Sequence, residues 1–418
     1  MEKLVFKTLT KNVLALLLIT SGMISSAQES FPAILPLEKP NENISAATER
    51  LYDNWDIYGD KTNELFSNFL YTNLKGFSKG VGASRRDPTK VIKVGDTYYV
   101  WYTHRKTESP PAGRNFTDEI PSSDWDLADL YYATSKDGFV WEEQGLAVAR
   151  PPKGEHGWRA LTTPGILVWK GKYYLYYQSF NQAPSATGDR AEVRVAQSDS
   201  PDGPWKIVKK EIINYGEEGD WDFRCIHDPC PIVYKDKIYI YYKSQNGAPR
   251  EQRNIGLSIA GGVAIADDPL GPFVKSPLNP ILNSGHEISV FPFKGGVAAF
   301  VSLNGPEKNT IQYSPDGVNF EIASHVILPP IAPAPYVPDA FTNTDDGRGI
   351  TWGLCHIGSD NKEAIRETML MRFDCDLSRD VDDPAFKRDG IRFPTPAYLE
   401  GRFVLPEDLK KKRMLDEH

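Results

Sequence analysis

Residues 163–178 read TPGILVWKGKYYLYYQ, and this stretch shows a pattern that recurs along much of the chain. Thr163-Pro164 precede an apolar run from Ile166 to Trp169, and a Lys-Gly-Lys turn connects that run to a second one, Tyr173 to Gln178. Two β-prone runs joined by a short turn predict a β-hairpin. Because the second run is apolar at consecutive positions, we expect both faces of its strand to be covered.

The same pattern recurs along the chain. Further copies open at Asp87, Asp228 and Glu287 and, more weakly, at Asp339. A second motif follows the hairpins, a Ser or Asp before a Gly turn and an aromatic residue, and it indicates a third strand turning into a fourth. Four strands per unit and five units are typical of a β-propeller, whereas a β-sandwich has no repeat of this length. We therefore predict an all-β fold, a five-bladed β-propeller with an N-terminal helical arm.

Residues 1–27 carry a targeting signal. Three lysines precede a short apolar run and a set of small residues, the order found in secretory signal peptides. The run is too short to cross a membrane as a helix. The sequence thus predicts export, to the periplasm or the medium.

Residues 28–80 lack the repeat and are predicted to form the helical arm, with helices at Ser45–Leu51 and Thr62–Leu70. A short helix cannot bury its apolar face alone, so the arm must dock on its own propeller or on a partner subunit. The predicted propeller, the catalytic domain, spans residues 81–400. Residues 401–418 form a charged C-terminal tail.

Composition excludes several classes of partner. The formal net charge is −8, and no basic cluster is present, which argues against binding to nucleic acid or to an anionic membrane surface. Four cysteines are too few for a disulfide scaffold, although one bridge remains open. Cys225, His227 and Cys230 offer metal-ligand chemistry without an obvious fourth ligand, so no metal-ligating residue is assigned.

The repeat also predicts a site. The innermost strand of each propeller blade lines the central channel, so the residues that open the hairpins should converge on the axis. Each acid taken alone is better explained as the cap of a strand or turn. Several carboxylates in one pocket repel each other and are hard to desolvate, whereas glycoside hydrolysis needs one group to activate water and another to protonate the leaving oxygen. The converging set comprises Asp87, Thr163, Asp228, Glu287 and Asp339.

Residues beside these acids complete the predicted site. His286 precedes Glu287, and a histidine exchanges protons near neutral pH. Long loops on a rigid scaffold carry specificity, and two inserts supply aromatic and charged side chains, Lys106–Asp129 with Arg114, Trp125 and Asp126, and 154–163 with His156, Trp158 and Arg159. The predicted catalytic residues are Asp87, Asp228, Glu287 and His286, and the predicted substrate-binding residues are Arg86, Trp125, Thr163 and His227.

These motifs resemble glycoside hydrolase family 117, the exo-acting 3,6-anhydro-α-L-galactosidases that act on neoagaro-oligosaccharides from red-algal agar. The resemblance covers nearly all of the chain after the signal segment. It rests on four motifs, Arg85-Arg86-Asp87-Pro88, His227-Asp228-Pro229, Gly285-His286-Glu287 and Ser45-x-Ala47-x-x-Arg50.

The resemblance implies five blades, an inverting mechanism and a homodimer whose subunits exchange the arm that carries Ser45, Ala47 and Arg50. It implies that Asp87 is the general base and His286 the general acid, with Glu287 as the alternative acid. Asp228 and Glu287 would bind the sugar and tune the neighbouring pKa values. No cofactor is required, although some members bind a divalent cation near the site.

The predicted function is therefore release of 3,6-anhydro-L-galactose from the non-reducing end of neoagaro-oligosaccharides. Two alternatives stay open. One is a related propeller glycosidase that acts on a different sugar, and the other is a propeller that binds carbohydrate without catalysis.

Overall fold

A computed structural model describes residues 30–52, 63–77, 82–245, 259–342, 346–358 and 367–378. The predicted signal peptide, residues 1–27, and the predicted tail, residues 401–418, lie outside the described residues. Within the described ranges, no helix has the length and apolarity that a membrane crossing requires.

The described chain is nearly all β, as predicted. Its helical elements are short: α1 (Ala46–Arg50), a 3₁₀ turn (Gly113–Asn115) and α2 (Pro184–Thr187). The strands are, in chain order, β1 (Leu70–Asn73), β2 (Ala83–Arg86), β3 (Ile92–Val94), β4 (Thr97–Lys106), β5 (Asp129–Ser135), β6 (Trp141–Val148), β7 (Ala160–Trp169), β8 (Lys172–Phe180), β9 (Glu192–Ser198), β10 (Lys206–Ile213), β11 (His227–Tyr234), β12 (Lys237–Gln245), β13 (Ile259–Ala266), β14 (Val274–Lys275), β15 (Ser289–Lys294), β16 (Gly296–Val301), β17 (Thr310–Ser314), β18 (Glu321–His325), β19 (Ala334–Pro335), β20 (Gly347–Gly358) and β21 (Thr368–Ser378).

The hairpin predicted from residues 163–178 is confirmed. Strands β7 and β8 pair in antiparallel register up to Trp169 opposite Lys172. Lys170 and Gly171 between them have φ of 51° and 77°, the left-handed backbone that a two-residue hairpin turn requires and that glycine adopts without strain.

The strands form four hydrogen-bonded sheets. The first contains β2 to β6, the second β7 to β10 and the third β11 to β14. The fourth has eight strands and two parts, β15–β18 and β19–β21 with β1. Among the described residues, the strand pairing that joins these parts consists of two residue pairs, Phe293 with Arg348 and Lys294 with Gly347.

Five large clusters of buried apolar side chains hold the sheets together, four between neighbouring sheets and one between the two parts of the fourth sheet. Four clusters follow chain order, and the fifth joins the β20–β21 part of the fourth sheet back to the first sheet. Representative pairs are Trp101 with Leu175, Leu167 with Ile240, Tyr241 with Val290, Phe291 with Phe373, and Val100 with Trp352.

The N-terminal segment is less helical than predicted. Helix α1 forms within the predicted range Ser45–Leu51, capped by the Ser45 hydroxyl, which accepts a hydrogen bond from the Thr48 amide. The helix predicted at Thr62–Leu70 is wrong over its described part, 63–70, where the chain is irregular until Leu70 begins β1. The apolar residues of this segment instead pack against the fourth sheet, and short apolar runs do not distinguish helix from strand.

Helix α1 docks on its own chain. Ser45 and Ala47 are fully buried, and the Arg50 guanidinium pairs with the buried Glu307 carboxylate at 2.8 Å. The three residues of the predicted dimerisation motif are therefore all engaged in contacts with the β15–β18 part of the fourth sheet or the residues preceding it.

Candidate active site

One cavity brings together all eight residues that the sequence predicted for the site. It encloses about 430 Å³ of space outside the protein atoms. Its lining includes Arg86, Asp87, Trp125, Thr163, His227, Asp228, His286 and Glu287. We call it the site cavity.

The backbone repeats an unusual conformation where the hairpins open. Asp87, Thr163 and Asp228 have φ of 49°, 45° and 56°, and a proline follows each. Left-handed backbone is strained for residues other than glycine, most of all for β-branched threonine, and such strain concentrates at functional sites. The strands also approach closely here, because a Cβ on Gly165 would lie 2.0 Å from the Pro229 carbonyl oxygen.

The fifth opening residue was placed wrongly by the sequence pattern. Ala332 has φ of 49°, precedes Pro333 and lines the axis together with the other four openings. Asp339 instead pairs with Arg348 at 3.1 Å and does not line the site cavity. The feature that Asp87, Thr163, Asp228 and Ala332 share is left-handed backbone before a proline, and an acidic side chain is not part of it.

Asp87 is held as a carboxylate. Its Oδ2 accepts from Arg86 Nε at 2.8 Å and from the Thr163 hydroxyl at 3.3 Å. His356 Nδ1 lies 3.1 Å from Oδ1 and also 3.1 Å from the Asp87 backbone nitrogen. Burial alone would raise the pKa of Asp87, but Arg86 and His356 outweigh it and hold this pKa far below its usual range.

Asp228 forms a buried ion pair. Lys243 Nζ lies 2.7 Å from its Oδ2, and both side chains are buried. The Asp228 amide donates to the Gln178 side-chain oxygen at 3.1 Å. Burial would lower the pKa of Lys243, but Asp228 and then Glu287 outweigh it and raise this pKa, so Lys243 stays charged.

His286 stands between two partners. Its Nδ1 lies 2.7 Å from the Asn304 side-chain oxygen, and its Nε2 lies 3.3 Å from Glu287 Oε1. The ring is about one-third exposed, which makes it the accessible member of the group. Within the described chain, Glu287 Oε2 is buried and has no hydrogen-bond partner, so this oxygen remains available to a ligand.

His227 serves a different purpose from His286. Its Nε2 donates to the Asp189 carbonyl oxygen at 2.6 Å. Burial and the nearby Lys243 lower the pKa of His227 to about 4, so the ring is neutral and holds the Asp189 loop. Burial raises the pKa of the Asp189 carboxyl, which lines the site cavity.

The insert of the first sheet contributes Trp125, whose ring lies under the Arg86 guanidinium at 4.9 Å from its centroid. Asp126 and Arg159 form a buried ion pair at 2.6 Å that fixes the insert, so they support the site and do not line it. Arg114, His156 and Trp158 also lie outside the lining of the cavity.

Comparison with known proteins adds an independent observation. Zg3597, a family 117 glycoside hydrolase produced by the marine bacterium Zobellia galactanivorans, is 51% identical, with 81% of this chain and 98% of that chain covered and a TM-score of 0.72. The chain belongs to glycoside hydrolase family 117. Another solved glycoside hydrolase, 14% identical, with 83% of this chain and 98% of that chain covered and a TM-score of 0.50, shares the fold. No protein-family model and no curated protein matches the chain.

This family 117 glycosidase has site residues that the sequence did not point to. Gln178, Asp189, Lys243 and Gln245 line the site cavity, and His356 touches Asp87. Gln178, Lys243 and Gln245 lie in the second strands of the β7–β8 and β11–β12 hairpins. The sequence signal that would have found them is a polar residue at the end of an otherwise apolar strand.

The cysteines of the enzyme are thiols. Cys225, Cys230, Cys355 and Cys375 are all buried and none forms a disulfide. His227 donates to a backbone carbonyl, and Cys230 contacts a lysine, so the structure does not support a shared metal site for Cys225, His227 and Cys230.

Proposed function

We propose that this family 117 enzyme is an exo-acting, inverting hydrolase that releases 3,6-anhydro-L-galactose from the non-reducing end of neoagaro-oligosaccharides. One observation carries the proposal: Asp87, Asp228 and Glu287, from different sheets, line one cavity with His286. Eleven of the twelve residues that line this cavity are polar or charged, which suits a sugar, whose surface is rich in hydroxyl groups.

Asp87 is the general base in this proposal. Arg86 and His356 keep it ionised, which is the form that removes a proton from water. A water molecule at its Oδ1, the oxygen that Arg86 does not contact, would lose a proton to Asp87 as it attacks the anomeric carbon.

His286 is the general acid in this proposal. Oxygen atoms of Asp87 and Glu287 lie within 4.8 Å of each other, whereas the two carboxyl groups of an inverting glycosidase are about 6.5–9.5 Å apart to admit water. This short approach favours His286 over Glu287 as the acid that partners Asp87. His286 Nε2 contacts Glu287 and reaches the open side of the cavity, so its proton can pass to the leaving oxygen.

Asp228 and Lys243 bind the sugar in this proposal. Their buried ion pair presents a carboxylate and an ammonium to the cavity, and these groups match the acceptors and donors of sugar hydroxyls. Gln178 and Gln245 extend the same polar wall.

A divalent cation is compatible with a second group of side chains at the site. Asp87, Glu287 and His356 each offer a ligand atom, and these atoms lie within 4.8 Å of one another. Two carboxylate oxygens and an imidazole nitrogen suit an ion such as zinc, and the unpartnered Glu287 Oε2 supports this fit. When bound, such an ion polarises an oxygen ligand as a Lewis acid.

The product assay on neoagarobiose tests the proposal. We expect a monosaccharide product, 3,6-anhydro-L-galactose, and proton NMR of early time points should show the anomer of inverted configuration first. Asp87→Asn serves as the matched control and should be inactive, and circular dichroism should show that it is folded.

Two results would contradict parts of this proposal. A first product of retained configuration would contradict inversion and favour Glu287 as a nucleophile near Asp87. Turnover of aryl glycosides or other algal oligosaccharides, with none on neoagarobiose, would assign the enzyme to a different sugar.

We infer that the strands compose five blades. Three sheets supply one blade each, and the two parts of the fourth sheet, which share two residue pairs, supply two. Four clusters between sheets, one cluster between the two parts of the fourth sheet, and five opening residues at the axis support this count.

We propose also that the enzyme is an exported homodimer. Helix α1, with only five residues, depends on Ser45, Ala47 and Arg50 for its docking, and the same contacts can be made to a partner subunit by exchange of residues 28–80. Light scattering should give twice the chain mass, and Arg50→Ala should shift it toward one chain. The N-terminal sequence of the mature protein should begin near residue 28.

A further inference from the structure

A second cavity adjoins the site cavity along the axis. It encloses about 420 Å³ and shares Asp87, Thr163, Asp228 and Glu287 with the site cavity. Its other polar lining includes Lys90, which lies between β2 and β3, and Cys230, which lies in β11. Neither residue has a part in the proposed hydrolysis.

Lys90 and Cys230 make an unusually close contact. Lys90 Nζ lies 2.6 Å from Cys230 Sγ and 3.3 Å from the Pro231 carbonyl oxygen. Hydrogen bonds between nitrogen and oxygen span about 2.7–3.2 Å, and sulfur is larger than oxygen, so an ordinary contact to sulfur is longer still. The separation is nevertheless too long for a direct bond between nitrogen and sulfur. The separation suits Lys90 Nζ and Cys230 Sγ if a third atom is bonded to both of them.

The surroundings of Lys90 make this contact chemically significant. Lys90 is 5% exposed and Cys230 is 8% exposed. Among the described residues, Lys90 pairs with no carboxylate, although a buried lysine is normally paired with one. The polar atoms that Lys90 Nζ contacts are Cys230 Sγ and the Pro231 carbonyl oxygen, so the thiol is the reactive group beside this nitrogen.

We propose that Lys90 and Cys230 are a site of oxidative cross-linking, in which a single oxygen atom bridges Nζ and Sγ. Dioxygen is the oxidant. The S–H bond and one N–H bond of the Lys90 amino group break, the O–O bond breaks, and new S–O and N–O bonds form. Sulfur and nitrogen are oxidised, and the two hydrogens leave with the second oxygen atom as water.

The other cysteines differ from Cys230 in their surroundings. Burial raises the pKa of Cys225 to about 11 and that of Cys355 to about 12, and it also raises the pKa of Cys375, so these groups stay as inert thiols. Cys230 has the Lys90 nitrogen in contact and a cavity beside it. A small oxidant can reach the pair through the site cavity, because the second cavity, which Lys90 and Cys230 line, adjoins it.

The bridge would tie the first sheet to the third across the axis. Lys90 follows Asp87 by three residues, and Cys230 follows Asp228 by two. A cross-link between residues so distant in sequence restricts the unfolded chain, as a disulfide does. We therefore expect the bridged protein to melt several degrees higher than the same protein treated with a thiol reductant.

Peptide mapping of the full chain tests the proposal. Trypsin cannot cleave after a bridged Lys90, so the oxygenated protein should yield residues 87–93 linked to residues 225–235, which contain Cys225 and Cys230. The linked mass should equal the sum of the two peptides plus one oxygen and minus two hydrogens. Thiol reductant should release both peptides, and protein purified without oxygen should contain neither the link nor the missed cleavage.

Variants separate the pair from its neighbours. Cys230→Ser and Lys90→Met should abolish the linked peptide, whereas Cys225→Ser, a change within the same peptide, should keep it. Unlinked peptides with an alkylatable Cys230 after exposure to oxygen would overturn the proposal, and so would a linked mass that lacks the added oxygen. The wild-type comparison with and without oxygen gives this answer even if a variant fails to fold, and none of these readouts depends on activity.

Discussion

Nδ1 of His286 lies 2.7 Å from the side-chain oxygen of Asn304, and this contact decides which ring nitrogen holds a fixed hydrogen. An amide oxygen only accepts hydrogen bonds, so Nδ1 carries its hydrogen in both ionisation states. Nε2, 3.3 Å from Glu287, is therefore the nitrogen that faces the other candidate groups of the site. Asn304 is itself held in place, because its backbone carbonyl oxygen accepts a hydrogen bond from the Gly285 amide at 2.8 Å.

Asn304→Ala should lower kcat by about tenfold or more, with a smaller effect on KM, because the ring loses its orientation. Asn304→Asp should move the alkaline limb of the kcat profile to higher pH, because a carboxylate stabilises the imidazolium form that the acid requires. Steady-state rates across pH measure both effects. Asn181→Ala, the same change outside the site cavity, is the control, and an unmoved profile in Asn304→Asp would exclude His286 as the acid.

Asp87→Asn should reduce kcat by about 10²–10⁴-fold, the usual contribution of a general base. Sugar binding should be largely kept, because the amide retains the shape of the side chain. Single-turnover rates and ligand titration measure the two quantities separately. Asp267→Asn, at an exposed surface pair with Lys237, should leave both unchanged, and equal loss of rate in the two variants would rule out the role of Asp87.

Lys243→Met should lower the free energy of unfolding by about 3–5 kcal/mol, because it leaves the buried Asp228 carboxylate without its cation. The double change Lys243→Met with Asp228→Asn should recover much of this loss. Urea unfolding of the three proteins gives the comparison. Lys237→Met serves as the control, since its ion pair is at the surface, and a double variant no more stable than Lys243→Met would contradict the explanation.

Stability should fall as pH decreases from about 6.5, the ordinary histidine value, toward 4. Burial lowers the pKa values of His104 and His227 to about 4, so the folded state binds fewer protons than the unfolded state in this window and loses stability there. Each histidine should contribute on the order of 2–3 kcal/mol. Urea unfolding at several pH values measures the decline.

His104→Phe should make that decline shallower, since it removes one of the two titrating groups and keeps the ring contact with Tyr131. A decline equally steep in wild type and His104→Phe would show that this histidine is not its source.

Ala332→Gly should be better tolerated than Ala334→Gly by about 1–2 kcal/mol, because only Ala332 has left-handed backbone, with φ of 49°. The two alanines are both buried, so the lost methyl group has a similar effect at each. Unfolding free energies of the two variants test the assignment of Ala332 as the fifth opening residue. Equal destabilisation would remove the evidence for backbone strain there.

The repeat in the sequence was sufficient to predict the central part of the site. Asp87, Thr163, Asp228 and Glu287 open equivalent hairpins, and equivalent positions in equivalent sheets converge on the axis whatever their separation along the chain. The hairpin at residues 163–178 could be predicted in detail, because its apolar runs and its turn are local properties.

Residues without a repeat-defined position could not be predicted. His356 lies in the long strand β20, and its contact with Asp87 joins residues that are far apart in sequence. Lys243 appears in the sequence as the polar end of an apolar strand, and only its partner Asp228 shows why it is buried. Asp339 shows the opposite error, since an acid near the expected position proved to be an ion pair with Arg348.

The amino-acid sequence alone determined the β-rich repeat and the identity of the acids at its opening positions, because strand propensity, turn chemistry and spacing are encoded locally. Only the tertiary structure decided which polar side chains face those acids, that Ala332 is the fifth opening residue, and which partner each nitrogen of His286 has. These outcomes depend on packing between sheets, which brings residues remote in sequence within a few ångströms of each other. At such distances, neighbouring groups determine which side chains are charged and which atoms carry hydrogens.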